Sequence, residues 1–426
     1  MDRRTFLKLT SLSSLPALTG CAYARIDPWH YMVRSDLIDS PEAEAKIRSK
    51  ARVGWTADRR VRVLFTSGTP YERGYQHGAL LREEVQDNLG HLYDTARKKF
   101  HFEELFAESY ERIRPYIPAE YVEEMHGLAH GARIPLHVVH HLHALPTIAE
   151  WGGKKRVKEV IKKMMAGVDL GTSCSNFSLA GDTTADGEFY VVRILDWGLH
   201  KISKLHQYPL IHVAVPDRGI PSANIGWVGF LGAVSGMNAQ GITLGEMGYR
   251  DPENETMRGK PMIFLLRDVL TYASDLSEVR ALVGSAIGTN SFAFVMSDGK
   301  TREAQLMIKD RDRFLVADPG KELEDTTAGK TDHLPAIRDV AYGGAYLDIM
   351  SEMLTKERGR ITVEKLQQEI IPAFAMKSNF QNVIYAPSRL QFWVSNAASK
   401  REWAVSQPYS FFDFGSALRK FQNTSS

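Results

Sequence analysis

The chain has 426 residues, 43% of them hydrophobic and 24% charged, with a formal net charge of +2. This is globular composition with material for a large core, and the near-neutral balance excludes the electrostatic footprint of a nucleic-acid binder. Length alone suggests two or three domains, or one large domain built on two sheets.

The first residues, MDRRTFLKLTSLSSLPALTGCAYA, differ from the rest. Arg3 and Arg4 are followed by Phe6, Leu7 and Lys8 and then a weakly apolar run, which looks like a twin-arginine export signal with Asp2 where Ser or Thr is usual. The run closes on Leu18-Thr19-Gly20-Cys21, a tetrapeptide resembling a lipobox, in which the cysteine is acylated and becomes the N-terminus. Cleavage after Ala24 is the alternative, since CAYA also fits a small-x-small site. Both readings make residues 1–24 an export signal and place the protein in the bacterial periplasm or cell envelope. The lipobox adds a lipid anchor to the membrane at Cys21.

Residues 25–60 are polar and read as a tether. RVRVLF reads as a strand. The chain turns at Gly68-Thr69-Pro70 and becomes helical, with Leu80, Leu81, Val85, Leu89 and Leu92 at helical spacing. PAEYVEEMHGLAHGARI and PLHVVHHLHALPTIAE read as two more helices, each opened by a proline. KKRVKEVIKKMM is a basic amphipathic helix or loop. The region before residue 174 is therefore mostly helical.

After residue 174 the texture changes. CSNFSLAG and EFYVVRILDW read as strands joined through Asp186-Gly187. GAVSGM and ITLGEMGY flank a hairpin turn, Asn238 to Gly241. SFAFVMSDGKTREAQLMIKDRDRFLVAD reads as a meander, and NVIYAPSRLQFWVSN as a hairpin turning at Pro387. Helical blocks around 260–287 and 346–373 interrupt them. Antiparallel hairpins with helices in separate blocks indicate an α+β fold.

The chain has two cysteines, and with Cys21 acylated or removed, Cys174 has no disulfide partner. A lone thiol is either inert core or a nucleophile. As a nucleophile it needs a base and a cationic neighbourhood. Arg193 and Asp196, in VRILDW, are candidates for the thiolate's cation and for a carboxylate that orients a base. The competing reading is a surface ion pair at a strand end. On a flat strand, positions three apart face opposite ways, so both reach one site only where the strand ends or bulges. Histidine is the usual base, and His137, His140, His141 and His143 cluster in one helix. No Glu or Cys completes a metal motif there, and packing within a helix face is the simpler account. The remaining source of base is the cysteine itself. If the Ser173–Cys174 bond is cut, the freed α-amine has a pKa of about 7.7–8.0 and sits on the residue that carries the sulfur.

CSNFSLAGDTTADGEFYVVRILDW resembles the N-terminal nucleophile (Ntn) cysteine hydrolases of the acyl-CoA:6-aminopenicillanic acid acyltransferase type (peptidase C45), related to choloylglycine hydrolases, penicillin V acylases and acid ceramidase. The shared pattern is Cys174 opening a strand, Asp186-Gly187 in the turn, then Arg193, Asp196 and Trp197. GTPYERGYQHGALLREEV and EMHGLAHGARIPLHVVHHLHA resemble the family's pro-segment, GFLGAVSGMNAQGITLGEMGY its Gly-x-Asn-x-x-Gly hairpin, and GTNSFAFVMSDGKTREAQLMI the stretch bearing its oxyanion asparagine. The resemblance runs from about residue 62 to 415.

It implies a four-layer αββα sandwich of two antiparallel sheets flanked by helices, with residues 25–173 as tether and helical pro-segment and 174–426 as catalytic domain. It implies autocleavage between Ser173 and Cys174, Cys174 as nucleophile with its amine as base, and Arg193 and Asp196 holding sulfur and amine. It also implies that the Asn290 amide binds the oxyanion, with a backbone N–H at Gly248 or Tyr249 as second donor. By residue type alone, Asn290 reads equally as a turn residue at a strand start. Many relatives carry a late arginine; only Arg389 is nearby, and it does not align. The expected activity is cleavage of a linear amide in a small N-acyl substrate, by hydrolysis or acyl transfer, with no cofactor or metal. The alternatives are an ester or phospholipid deacylase using the same site, a silent envelope lipoprotein acting as a binding module, and a Cys-His hydrolase using His200 or His206. Oligomeric state is left open.

Overall fold

In the computed structural model the described residues are 38, 40–100, 103–150, 174–201, 203–249, 254–325, 332–344 and 346–425. The export signal, Cys21, the KKRVKEVIKKMM stretch and Ser173 lie outside them.

Part of the stretch expected as tether is ordered structure. Helix α1 (Pro41–Ser49) is capped by Ser40, whose Oγ accepts from Ala43 N at 3.1 Å, and strand β1 (Arg52–Trp55) follows. Strand β2 (Arg62–Gly68) leads into α2 (Pro70–Leu80) through a capping box of Thr69 and Glu72. Then come α3 (Arg82–Phe100), α4 (Glu103–Ile113), α5 (Ala119–Ala132) and α6 (Leu136–Glu150). Helices α2 and α5 cross at backbone contact. A Cβ on Gly74 would lie 1.9 Å from the Glu124 carbonyl oxygen, and one on Gly127 would lie 2.1 Å from that of Tyr71. Gly78 and Gly131 continue the crossing one turn on, which explains the paired glycines of GYQHG and GLAHG.

Beyond Cys174 the strands are β3 (Ser175–Leu179), β4 (Tyr190–Asp196), β5 (Pro209–Pro216), β6 (Ser222–Trp227), β7 (Ser235–Asn238) and β8 (Ile242–Gly248). Helices α7 (Met262–Tyr272) and α8 (Leu276–Ser285) precede β9 (Phe292–Asp298), β10 (Glu303–Lys309) and β11 (Phe314–Ala317). A small pair, β12 (Leu323–Asp325) and β13 (Asp332–Leu334), is followed by β14 (Tyr342–Gly343), α9 (Leu347–Lys356) and a helical stretch at 363–374. The chain closes with β15 (Asn379–Ala386), β16 (Gln391–Asn396), β17 (Ser410–Asp413) and α10 (Phe414–Ser425).

These strands build a nine-stranded sheet, β1-β2-β5-β6-β7-β8-β9-β10-β11, and a six-stranded sheet, β14-β3-β4-β15-β16-β17. The sheets stack, and helices cover both outer faces. Strand β9 shows why. Phe292, Phe294 and Met296 pack with Phe264, Leu270 and Val283 under the helices, while Ala293 and Val295 face the other sheet. On the far side, Met350, Leu354, Ile370 and Phe374 pack on the six-stranded sheet, where Phe374 meets Phe177 edge to face. The fold is the expected αββα sandwich, with one departure. Strand β2, which precedes Cys174, lies parallel to β5 across Arg62–Gly68. A parallel neighbour needs a long crossover, and the helices α2 to α6 together with β3 and β4 provide it. The residues before Cys174 are thus woven into the nine-stranded sheet.

Candidate active site

Cys174 stands one residue before β3, at the end of the sheet where β4 finishes. The turn that returns the chain is built as the Asp-Gly pair suggests. Asp186 Oδ1 accepts from Glu188 N at 3.1 Å, Asp186 Oδ2 accepts from the Tyr190 hydroxyl at 2.8 Å, and Gly187 takes φ +68°. From there β3 and β4 pair in register, Ser175 opposite Ile194 and Asn176 opposite Arg193.

The thiol borders a small, half-open pocket with a cavity volume of about 20 Å³. Its polar lining is Cys174, Asp196 and Glu246, with Gly248 beside them. Its apolar walls are Pro146, Leu195, Trp197, Val234 and Met262. No histidine is among the described residues lining it. His206 is buried elsewhere, and the four clustered histidines pack inside the helical layer: His140 stacks on Tyr110 at 4.2 Å, and His143 Nε2 accepts from Leu231 N.

Arg193 is fully buried between the sheets. Its guanidinium donates to Glu246 Oε2 at 3.0 Å and to the Ile194 carbonyl at 2.8 Å, and its charge favours the Cys174 thiolate. Gly245 makes room: a Cβ there would come within 2.6 Å of Asn176 Oδ1 and 3.0 Å of Arg193 Cδ. Burial pushes the Cys174 thiol up to about 12, Arg193 opposes that, and the Glu246 and Asp196 carboxylates add to it. A thiol in this setting stays protonated at neutral pH until a local base takes its proton.

Asp196 ends β4, and its burial raises its pKa to about 6 against hydrogen bonds from Asn379 and Met376 and the charge of Arg193. Oδ1 accepts from Asn379 Nδ2 at 3.0 Å and from Met376 N at 3.2 Å, whereas Oδ2 is buried with no donor among the described residues. The expected break between Arg193 and Asp196 is not in β4, which runs unbroken. The irregularity is in its neighbour: the β15–β4 register shifts between Asn379 and Gln381.

Asn290 is buried just ahead of β9. Its Nδ2 donates to the Thr147 carbonyl in α6 at 3.3 Å, and its Oδ1 has no partner among the described residues. It is not among the lining residues, although Pro146, next in α6 to its acceptor Thr147, is one. Of the two backbone donors, Tyr249 N–H is committed to Ser291 O at 2.9 Å. The alternation of an antiparallel ladder then points Gly248 N–H away from β9. Arg389 is remote. It caps the β15–β16 hairpin and pairs with Glu188 at 2.5 Å, at the opposite end of the sheet from Cys174.

Glu246 and Pro146 were invisible as site residues in the sequence. Glu246 stood out only as one charge inside an otherwise uncharged strand, ITLGEMG. Burying it beside Arg193 costs less than burying either alone, because an unpaired charge there is far more expensive.

No family model matches the chain. An uncharacterized protein of Archaeoglobus fulgidus is 27% identical over 285 residues, 60% of this chain and 44% of that protein, so the match spans less than half of the relative's length. Protein dcd1A of Dictyostelium discoideum is 22% identical over 346 residues, 72% of this chain and 73% of its own. Similar solved structures include a conjugated bile acid hydrolase mutant from Clostridium perfringens (TM-score 0.36, 11% identity, 57% of this chain and 93% of that one). An N-acylethanolamine-hydrolyzing acid amidase ortholog from Caenorhabditis elegans gives a TM-score of 0.38 at 10% identity, over 50% of this chain and 93% of that one.

Proposed function

We propose that this chain is an N-terminal nucleophile amidohydrolase that cuts itself before Cys174 and then cleaves a linear N-acyl amide through a Cys174 thioester. One observation carries the reading: the Cys174 thiol shares a pocket with a buried carboxylate whose second oxygen, Asp196 Oδ2, has no donor among the described residues.

In the uncut chain, Sγ attacks the carbonyl of Ser173. The peptide nitrogen leaves as the α-amine of Cys174, and water opens the resulting thioester to free the Ser173 carboxylate. In turnover the α-amine accepts the thiol proton, Sγ adds to the substrate carbonyl, and the amine passes that proton to the departing nitrogen. Water then hydrolyses the acyl-thioester. Arg193 favours the thiolate, and Glu246 holds Arg193. Asp196 Oδ2 receives the α-ammonium. The Gly248 N–H is one oxyanion donor; the Asn290 amide becomes the other only when it exchanges the Thr147 carbonyl for the substrate's, and each such donor is worth about 2.7–4 kcal/mol of barrier. The apolar character of Leu195, Trp197, Val234 and Met262 favours an apolar acyl group. Hydrolysis is preferred over transfer, because an exported enzyme meets water rather than an acyl-coenzyme A. Export and anchoring through Cys21 belong to the same reading.

Intact mass, N-terminal sequencing and a screen of N-acyl amides of graded chain length test it, with Cys174→Ala as blank. The expected result is a fragment beginning at Cys174 and turnover that the blank lacks. Turnover with the Ser173–Cys174 bond intact, or turnover surviving in Cys174→Ala, overturns it.

A further inference from the structure

Asp196 presents two unlike oxygens, and the difference is made by one neighbour. Oδ1 takes both donors, Asn379 Nδ2 and Met376 N, while Oδ2 stays bare on the wall beside Cys174. The Asn379 amide cannot turn over. Its Oδ1 accepts from Val405 N at 2.8 Å and from Asn382 Nδ2 at 2.9 Å, and its Nδ2 also donates to Asn382 Oδ1 at 2.9 Å. A flipped amide would set oxygen against the Asp196 carboxylate and an N–H against the Val405 N–H. Asn382 is held in turn by its Nδ2 donating to Ser395 Oγ at 3.2 Å. The register shift of β15 falls here, opposite Asp196, and bulges of this kind re-aim side chains beside active sites.

We propose that Asn379 is a positioning residue, which occupies Asp196 Oδ1 so that Oδ2 alone is offered to the nitrogen of Cys174. This rests on the amidohydrolase reading above. No bond is made or broken by Asn379. A neutral donor, rather than a second cation, fixes the carboxyl's direction while leaving it free to titrate. The charged and titratable groups facing it are Arg193 on its own strand, Cys174 ahead of β3 and Glu246 on β8.

The test is the pH dependence of kcat/KM for an N-acyl p-nitroanilide turned over by the processed protein. The α-amine, at about 7.7–8.0, sets the upper step of the acid limb and Asp196 the lower one; Asn379→Leu removes a donor that favours ionised Asp196, so the lower step should move up by about one pH unit, with KM changed less than twofold. Asn379→Ser, which keeps a hydroxyl donor, should recover part of that displacement and stands in if the leucine variant does not fold. A limb that stays where the wild type has it in a folded variant, with only the melting temperature lowered, overturns the proposal. Asp196→Asn separates the two levels. If it turns over normally the amidohydrolase reading falls; if it is inactive while Asn379 variants keep the wild-type limb, only the positioning role falls.

Discussion

The side-chain amide of Asn290 donates to the backbone carbonyl of Thr147 at 3.3 Å, joining a residue after Cys174 to one before it at the edge of the thiol pocket. Thr147 is in the last turn of α6, where carbonyls have no partner within the helix. The amide is therefore already aimed at a carbonyl oxygen of the chain itself, in the way the amidohydrolase reading asks it to be aimed at a substrate's.

Asn290→Ala should lower kcat about 10²–10³-fold with KM little changed, as expected for losing one oxyanion donor. The stability loss should be small, about 1 kcal/mol, since only one neutral hydrogen bond to α6 disappears. Steady-state kinetics alongside a urea melt decide it. A large stability loss with unchanged kcat would make Asn290 a helix cap and nothing more.

Asp196 should make the protein less stable as pH rises. Its carboxyl binds its proton more tightly in the fold, near 6, than at its ordinary 3.8. Stability from that proton is fully present below about pH 4 and is lost as pH climbs through 6. The difference corresponds to about 3 kcal/mol at pH 7.5. Asp196→Asn keeps an oxygen for Asn379 and Met376 and carries no charge. In a Cys174→Ala background, which leaves the chain uncut and Asp196 without an ammonium, it should raise the urea midpoint at pH 7.5 and change it little at pH 4; in the cleavable chain it should be inactive. Equal urea midpoints at pH 7.5 would contradict the burial argument.

Local pattern carries local structure, and the site shows where that stops. The β3–β4 hairpin was readable because Phe177 and Leu179 alternate with polar positions and Asp186-Gly187 builds the turn. Cys174, Arg193 and Asp196 could be gathered because they lie within one hairpin. Glu246 could not, since its partner Arg193 is 53 residues away and nothing in ITLGEMG announces the ion pair. Asn379 was hidden for the same reason, 183 residues from the carboxylate it holds. The parallel pairing of β2 with β5 has no local signature either, because strand pairing is decided by faces and neighbours rather than by propensity.

That pairing bears on what the proposed cut before Cys174 would leave behind. Strand β2 is hydrogen-bonded to β5 along seven aligned positions, and Leu64 is buried in the same core as Leu210, Phe264 and Phe294 from beyond Cys174. Ionic contacts also join the residues before Cys174 to those after it: Glu124 lies between Arg73 and Arg267, with the Arg267 contact at 2.8 Å, all three buried. Removing either arginine would leave a buried charge poorly matched, at a cost of about 3–5 kcal/mol. The two fragments should therefore stay together without a covalent link and migrate as one species in native mass spectrometry and gel filtration, separating only in denaturant. Arg267→Met should weaken that association while leaving the Ser173–Cys174 cut itself in place. Recovery of an active fragment 174–426 alone under native conditions would show that the first 173 residues are dispensable once cleavage is done.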